Sequence, residues 1–119
     1  LQGYRQLWQK AGHPVLEQLL RAIAREESVH SHFYWSIARL HLERSKFSRG
    51  LARFIINRFW TPVGQGTKPK EETNHTIATL FKGPAGVHSF ERNIGQRMQQ
   101  LPGFDGLQTV TQRIAAIAM

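Results

Sequence analysis

The segment of residues 13–43, HPVLEQLLRAIAREESVHSHFYWSIARLHLE, has the pattern of one long amphipathic helix. It contains no glycine, and its single proline, Pro14, stands at the start, where the first turn of a helix accepts it. A row of residues recurs alternately every four and three positions, which is the spacing of one face of a helix in a bundle. That row is Leu16, Leu20, Ile23, Glu27, His30, Tyr34, Ile37 and His41.

Glu27 and His30 are polar residues at positions of this row where leucine would be expected. Burying an unsatisfied polar group costs roughly 1–3 kcal/mol, and burying a charged one costs more, so the pair needs a partner. Two interpretations remain open. The pair either binds a metal ion, as Glu-x-x-His motifs do on bundle helices, or forms a buried hydrogen bond between helices.

The remaining sequence predicts further helices and no strands, so the expected class is all-α. One helix spans about 2–10 and is closed by Gly12, and another is capped by Ser45 and ends near residue 60. Two prolines and two glycines predict a loop at 61–70. Beyond it, we predict helices near 71–81, 85–100 and 106–119.

Composition bounds the function. A chain of 119 residues with 40% hydrophobic residues forms one domain, and no stretch has the roughly 20 apolar residues of a membrane span. Cysteine is absent, which excludes disulfides and cysteine-bound metal and fits a cytoplasmic location. The net charge of +8 favours an acidic partner. The helix after Ser45 contributes four basic residues that largely avoid its apolar face: Lys46, Arg49, Arg53 and Arg58.

Residues 11–40, AGHPVLEQLLRAIAREESVHSHFYWSIARL, resemble the last metal-binding helix of soluble acyl-carrier-protein (fatty acid) desaturases, which are ferritin-like di-iron proteins. The resemblance rests on a glycine at the preceding turn, an Ile-Ala step, an acidic-Glu-x-x-His motif and a following aromatic residue. It covers about the first 45 residues well and the rest loosely. The matching positions are Gly12, Ile23, Ala24, Glu26, Glu27, His30, and Phe33 or Tyr34.

The resemblance implies that residues 1–60 are the end of a ferritin-like bundle, with the metal-ligand helix at 14–43, and that 61–119 are a helical extension of the same domain. Glu27 and His30 would be one of two Glu-x-x-His pairs around two iron ions, with Glu26 holding another histidine and Tyr34 near the metals. The chain offers no convincing second pair and begins inside a predicted helix. We therefore expect the remaining ligands outside this chain, as part of a longer protein.

The function implied by the resemblance is O2-dependent oxidation of a C–H bond in a fatty acyl chain by a di-iron oxidoreductase. An acidic acyl carrier protein would bind the basic residues that follow the ligand helix, Lys46, Arg49, Arg53 and Arg58, and the protein would form a homodimer. Two alternatives from other classes stay open. One is a ferritin-like protein that handles iron without an organic substrate, and the other is a small basic helical module that binds nucleic acid.

Overall fold

The computed structural model of this chain describes residues 1–62 and 64–119. Helices account for 78% of it, and this part of the chain contains no strand. The prediction of an all-α protein is therefore confirmed. None of the described helices is both long and apolar enough to cross a bilayer.

The first two helices form an antiparallel hairpin around a glycine. Helix α1 (Gln2–Ala11) ends at Gly12, whose φ of 62° is the left-handed conformation that favours glycine. Helix α2 (Pro14–Arg44) starts with proline in its first turn, and the backbone N–H of Leu16 donates a hydrogen bond to His13 Nδ1 at 3.2 Å. The two helices pack side by side, and Arg21 of α2 stacks over Trp8 of α1.

A single residue separates α2 from helix α3 (Lys46–Phe59). Ser45 has extended backbone angles and its side chain accepts a hydrogen bond from the Ser48 N–H at 3.2 Å, so it caps α3 as predicted. The predicted loop follows: residues 61, 62 and 64–69 lie outside helices, and Val63 lies outside the described residues. Helix α4 (Lys70–Leu80) then begins directly after Pro69.

The predicted helix at 85–100 is a continuous helical segment with a widened turn in its middle. It comprises α5 (Gly83–Phe90), a π-helical turn (Glu91–Gly95) and α6 (Gln96–Met98). The last helix, α7 (Thr109–Ala118), starts three residues later than predicted. The reason is that the preceding turn continues through Gly106, which has a left-handed φ of 69°, and buries Leu107 before the helix begins.

The core lies in the C-terminal half. Its larger cluster joins α4, α5 and α7 through residues that are at least nine-tenths buried: Ile77, Phe81, Phe90, Val110, Ile114 and Ala118. A smaller cluster joins the end of α2 to the turn before α7 through Leu42, Leu101, Phe104 and Leu107. By contrast, α1 and α3 contain no buried residue.

The molecule is more extended than a self-contained domain of its length. Its radius of gyration is 15.4 Å, against about 13.5 Å for a compact chain of this size. Its accessible surface is 8267 Å² for a mass of 13.7 kDa, against about 6,600 Å² for a compact monomer. The excess exposed surface is concentrated on the long helices, which carry the candidate site.

Candidate functional site

Helix α2 has two apolar faces, and the chain covers one of them. Leu20, Ala24 and Leu42 are buried against the rest of the molecule. A second set of large apolar side chains on the same helix is exposed by 39–70%. We call this set the uncovered face of α2; it consists of Val15, Leu16, Leu19, Val29, Phe33, Tyr34, Ile37 and Leu40.

Glu26, Glu27 and His30 lie in the middle of the uncovered face of α2. At about 100° per residue, Leu19 and Ile37 point in the same direction, and Glu26 and His30 deviate from it by about 20°. Glu27 lies between this direction and the packed side, which agrees with its intermediate exposure. Apolar side chains therefore flank the Glu-Glu-x-x-His motif on both sides along the helix.

This chain does not bury Glu27 and His30. Their side chains are 44% and 65% exposed. The physical reason is that the side of α2 that packs on α1 is centred on Leu20 and Ala24 and not on the predicted row. The predicted row is therefore only partly covered. Nor are the two side chains hydrogen-bonded, because His30 Nδ1 and Glu27 Oε1 are 4.0 Å apart. The described residues 1–62 and 64–119 therefore supply no hydrogen-bond partner for either side chain.

Glu27 and His30 can both bind one metal ion after a small rotation of their side chains. Imidazole nitrogen and carboxylate oxygen bind first-row metals at about 2.1 Å, so neighbouring ligands of one ion lie about 3 Å apart. The observed 4.0 Å is about 1 Å wider, and both side chains are exposed enough to turn. Two ligands do not make a stable site on their own. In the part of the chain that the structure describes, no three His, Cys, Asp or Glu side chains cluster to complete one.

The two predicted neighbours of the pair lie on the same side of the helix. Glu26 is exposed and adjoins His30 one turn away. Tyr34 is 70% exposed, one turn after His30, and its ring packs edge to face on Phe33 with centroids 5.7 Å apart. Both side chains can thus reach a group bound at Glu27 and His30.

The basic residues of α3 divide into two kinds. Lys46 and Arg58 are exposed. Arg49 and Arg53 are half-buried and donate hydrogen bonds to backbone carbonyls of this chain. Arg49 donates to Leu42 and Glu43, and Arg53 donates to Gly103 and Asp105 at 3.0 and 2.7 Å.

Helix α3 also turns its apolar side outward. Arg49 and Arg53 face the protein, so the aromatic and aliphatic residues opposite them are exposed by 46–78%. We call this set the uncovered face of α3; it consists of Phe47, Leu51, Phe54, Ile55 and Phe59. The sequence predicts this apolar face. It does not predict that the two arginines hydrogen-bond to this chain, because nothing in the sequence pairs Arg53 with carbonyls fifty residues away.

Comparison with known proteins leaves the site to be interpreted from its geometry. No family model, curated protein or solved structure matches the chain. The arrangement to be explained is an all-α unit with a packed C-terminal core and two uncovered apolar faces. One of these faces carries a carboxylate and an imidazole three residues apart on the helix, with Glu27 Oε1 and His30 Nδ1 separated by 4.0 Å.

Proposed function

We propose that this chain is the C-terminal part of a ferritin-like di-iron oxidase that resembles the acyl-carrier-protein desaturases. Glu27 and His30 supply one Glu-x-x-His ligand pair, and further helices supply the remaining ligands. The observation that carries the proposal is the position of this pair: it interrupts an apolar helix face that the rest of the chain leaves uncovered. Such a face with polar residues at its centre is what a bundle helix presents to its neighbours around a metal site.

The amount of exposed surface supports the proposal that further helices cover this chain. The chain exposes about 1,700 Å² more than a compact monomer of its mass. One side of a permanent, largely apolar interface buries about 1,000–2,500 Å². Monomeric soluble proteins rarely expose apolar patches above a few hundred square ångströms, so the uncovered faces of α2 and α3 fit an interface.

The residues on the uncovered face of α2 have separate roles in this proposal. Glu27 binds through a carboxylate oxygen and His30 through one nitrogen of the neutral imidazole. Glu26 accepts a hydrogen bond from the free ring nitrogen of a ligand histidine, which fixes that ring. Leu19, Phe33 and their apolar neighbours exclude water once the face is covered. When bound, the two irons would supply the chemistry that uses O2, together with two electrons from an external reductant, to oxidise a C–H bond of a fatty acyl chain.

Metal analysis of the natural gene product in which this chain occurs tests the proposal. We expect about two irons per chain, lost in the Glu27→Ala/His30→Ala double variant. The matched control is Glu17→Ala/His32→Ala, which removes the same two residue types from the same helix but outside the uncovered face. Iron in the control and none in the double variant supports the ligand assignment. Unchanged iron in both variants would contradict it.

The proposed partner is an acidic acyl carrier protein, and the structure shows which basic residues can be replaced without disturbing the fold. Arg49 and Arg53 hold this chain together, so replacing them would disturb the fold as well as any partner contact. Lys46 and Arg58 are exposed and suit charge reversal. We expect Lys46→Glu/Arg58→Glu to weaken carrier-protein binding at low salt by about tenfold, since attraction between exposed charges is screened by salt.

The same two measurements separate the ferritin-like alternative from the oxidase. Iron that depends on Glu27 and His30, combined with no affinity for acyl carrier protein, would favour a protein that handles iron without an organic substrate. No iron in any form of the protein, together with DNA binding that falls steeply with salt, would favour the basic nucleic-acid module.

A further inference from the structure

A second concave site lies away from the uncovered faces, between the start of α1, the middle of α2 and the π-helical turn with α6. The cavity measures about 440 Å³, which is within the range of small-molecule sites. We call it the Trp35 cavity. Its apolar wall includes Trp35, Ile94 and Met98, and its polar wall includes Ser28, Ser31 and Arg97.

Trp35, which lines this cavity, carries an unsatisfied hydrogen-bond donor. Its indole N–H is buried and has no hydrogen-bond acceptor among the described residues. An indole nitrogen can only donate, so only an acceptor atom can satisfy it. Leaving such a donor unpaired is unfavourable, and a native protein normally provides a water molecule or a ligand for it.

Two arginine guanidinium groups lie over the Trp35 ring within cation–π range, and they differ in their other partners. The guanidinium carbons of Arg39 and Arg97 each lie 5.5 Å from the ring centroid. Arg39 also pairs with Glu43 at 2.8 Å. In residues 1–62 and 64–119, Arg97 has no ion pair or side-chain hydrogen bond. The guanidinium N–H groups of Arg97 therefore remain available to a planar oxyanion.

The rest of the polar wall also favours an anionic ligand. Ser28 and Ser31 contribute hydroxyl groups, and none of the described lining residues is Asp or Glu. A cation would therefore meet Arg97 without compensation. An anion would meet a guanidinium and two hydroxyls, and its apolar part would contact Ile94 and Met98.

We propose that the Trp35 cavity binds a small anionic ligand, a carboxylate or phosphate ester on a compact apolar body, with Arg97 as its charged partner. Trp35 contributes to the apolar wall, and Ser28 and Ser31 complete the polar contacts. This site is independent of the proposed iron ligands, because none of its residues belongs to the Glu27–His30 pair.

Titration of the 119-residue chain followed by ¹H–¹⁵N NMR tests this proposal. The probes are benzoate and phenyl phosphate, with neutral benzamide and cationic benzylamine as comparisons. The indole N–H signal of Trp35, assigned with Trp35→Phe, reports on this cavity and not on the apolar faces elsewhere. We expect a saturable shift of that signal with one or both anions and none with benzamide or benzylamine. The tighter anion identifies the ligand class as carboxylate or phosphate ester.

Variants at two neighbouring arginines complete the test. Arg97→Gln should weaken anion binding at least tenfold, and Arg97→Lys should weaken it less, because it keeps the charge and loses the forked geometry. The matched control Arg92→Gln removes an exposed arginine of the π-helical turn that does not line the cavity, and binding should be unchanged. Equal shifts with benzamide, no saturation with either anion, or unaltered binding by Arg97→Gln would overturn the proposal.

Discussion

The C-terminal half and the two helices α2 and α3 contain similar apolar residues. The C-terminal half buries them, whereas α2 and α3 leave many of them exposed. Phe90 is 6% exposed and packs edge to face on Phe81, with ring centroids 5.2 Å apart. Phe54 and Phe59 make a similar ring contact at 6.4 Å, yet they are 58% and 66% exposed. An aromatic pair alone therefore does not make a core. The difference is a covering layer, which α7 provides for Phe90 and which the described chain lacks over Phe54.

The largest expected contrast is between matched phenylalanine truncations in the two regions. Phe90→Ala removes a ring from the larger cluster and should lower the free energy of unfolding by about 3–5 kcal/mol. Phe54→Ala, its control on the uncovered face of α3, should change it by about 0.5 kcal/mol or less. Chemical denaturation of the 119-residue chain, at dilutions where it is monomeric, measures both. Equal losses would mean that α3 packs its apolar face within this chain.

Two glycines of the turn before α7 offer a second contrast. Both have left-handed backbones, but a Cβ at Gly103 would lie 2.6 Å from Arg49 Cβ, while a Cβ at Gly106 would meet nothing within 4 Å. Gly106→Ala should therefore cost only the backbone strain, about 1–2 kcal/mol, and Gly103→Ala about 2–4 kcal/mol, since overlap is added. The same denaturation assay compares them. If the order were reversed, the turn would not contact α3 as described.

Self-association should distinguish the uncovered faces from the remaining surface. We predict that the isolated chain self-associates through these faces, and that Leu19→Glu/Leu51→Glu weakens the association at least about tenfold, because it places charges in an apolar contact. Gln18→Glu adds a charge to the same helix outside the uncovered face and serves as the control. Sedimentation velocity gives the result. A wild-type chain that stays monomeric at high concentration would contradict the prediction.

Local sequence signals predicted most of the helices, and long-range contacts decided what they missed. Gly12, Pro14 and Ser45 carry their own explanations, because capping and the left-handed conformation depend on neighbouring residues alone. The late start of α7 depends on Gly106 and the burial of Leu107, which a periodic pattern does not contain.

The candidate site shows the same division. Periodicity predicted that Glu27 and His30 share one side of a long helix, and they do. It could not predict which side α1 covers, because Leu20 and Ala24 continue the apolar pattern on one flank and Leu19 and Phe33 on the other. The Trp35 cavity was not predicted at all, since it joins Ser28 and Trp35 to Arg97, which lies more than sixty residues away.

We propose that other helices cover the uncovered face of α2 in the natural protein, and cysteine labelling measures whether that face is covered. The chain contains no cysteine, so a single Leu19→Cys gives one reactive group on that face. Arg25→Cys, at an exposed position of the same helix outside the uncovered face, is the control. We measure thiol labelling rates in the isolated chain and in the natural gene product, with the background of the unmodified protein subtracted.

We expect the thiol of the Leu19→Cys variant to react readily in the isolated chain and at least about tenfold more slowly in the natural protein, because labelling there requires the cover to open. The thiol of the Arg25→Cys control should react at similar rates in both. Equal labelling of the Leu19→Cys variant in the two proteins would contradict the claim, since a face that stays open to solvent cannot be the buried interface of a di-iron bundle.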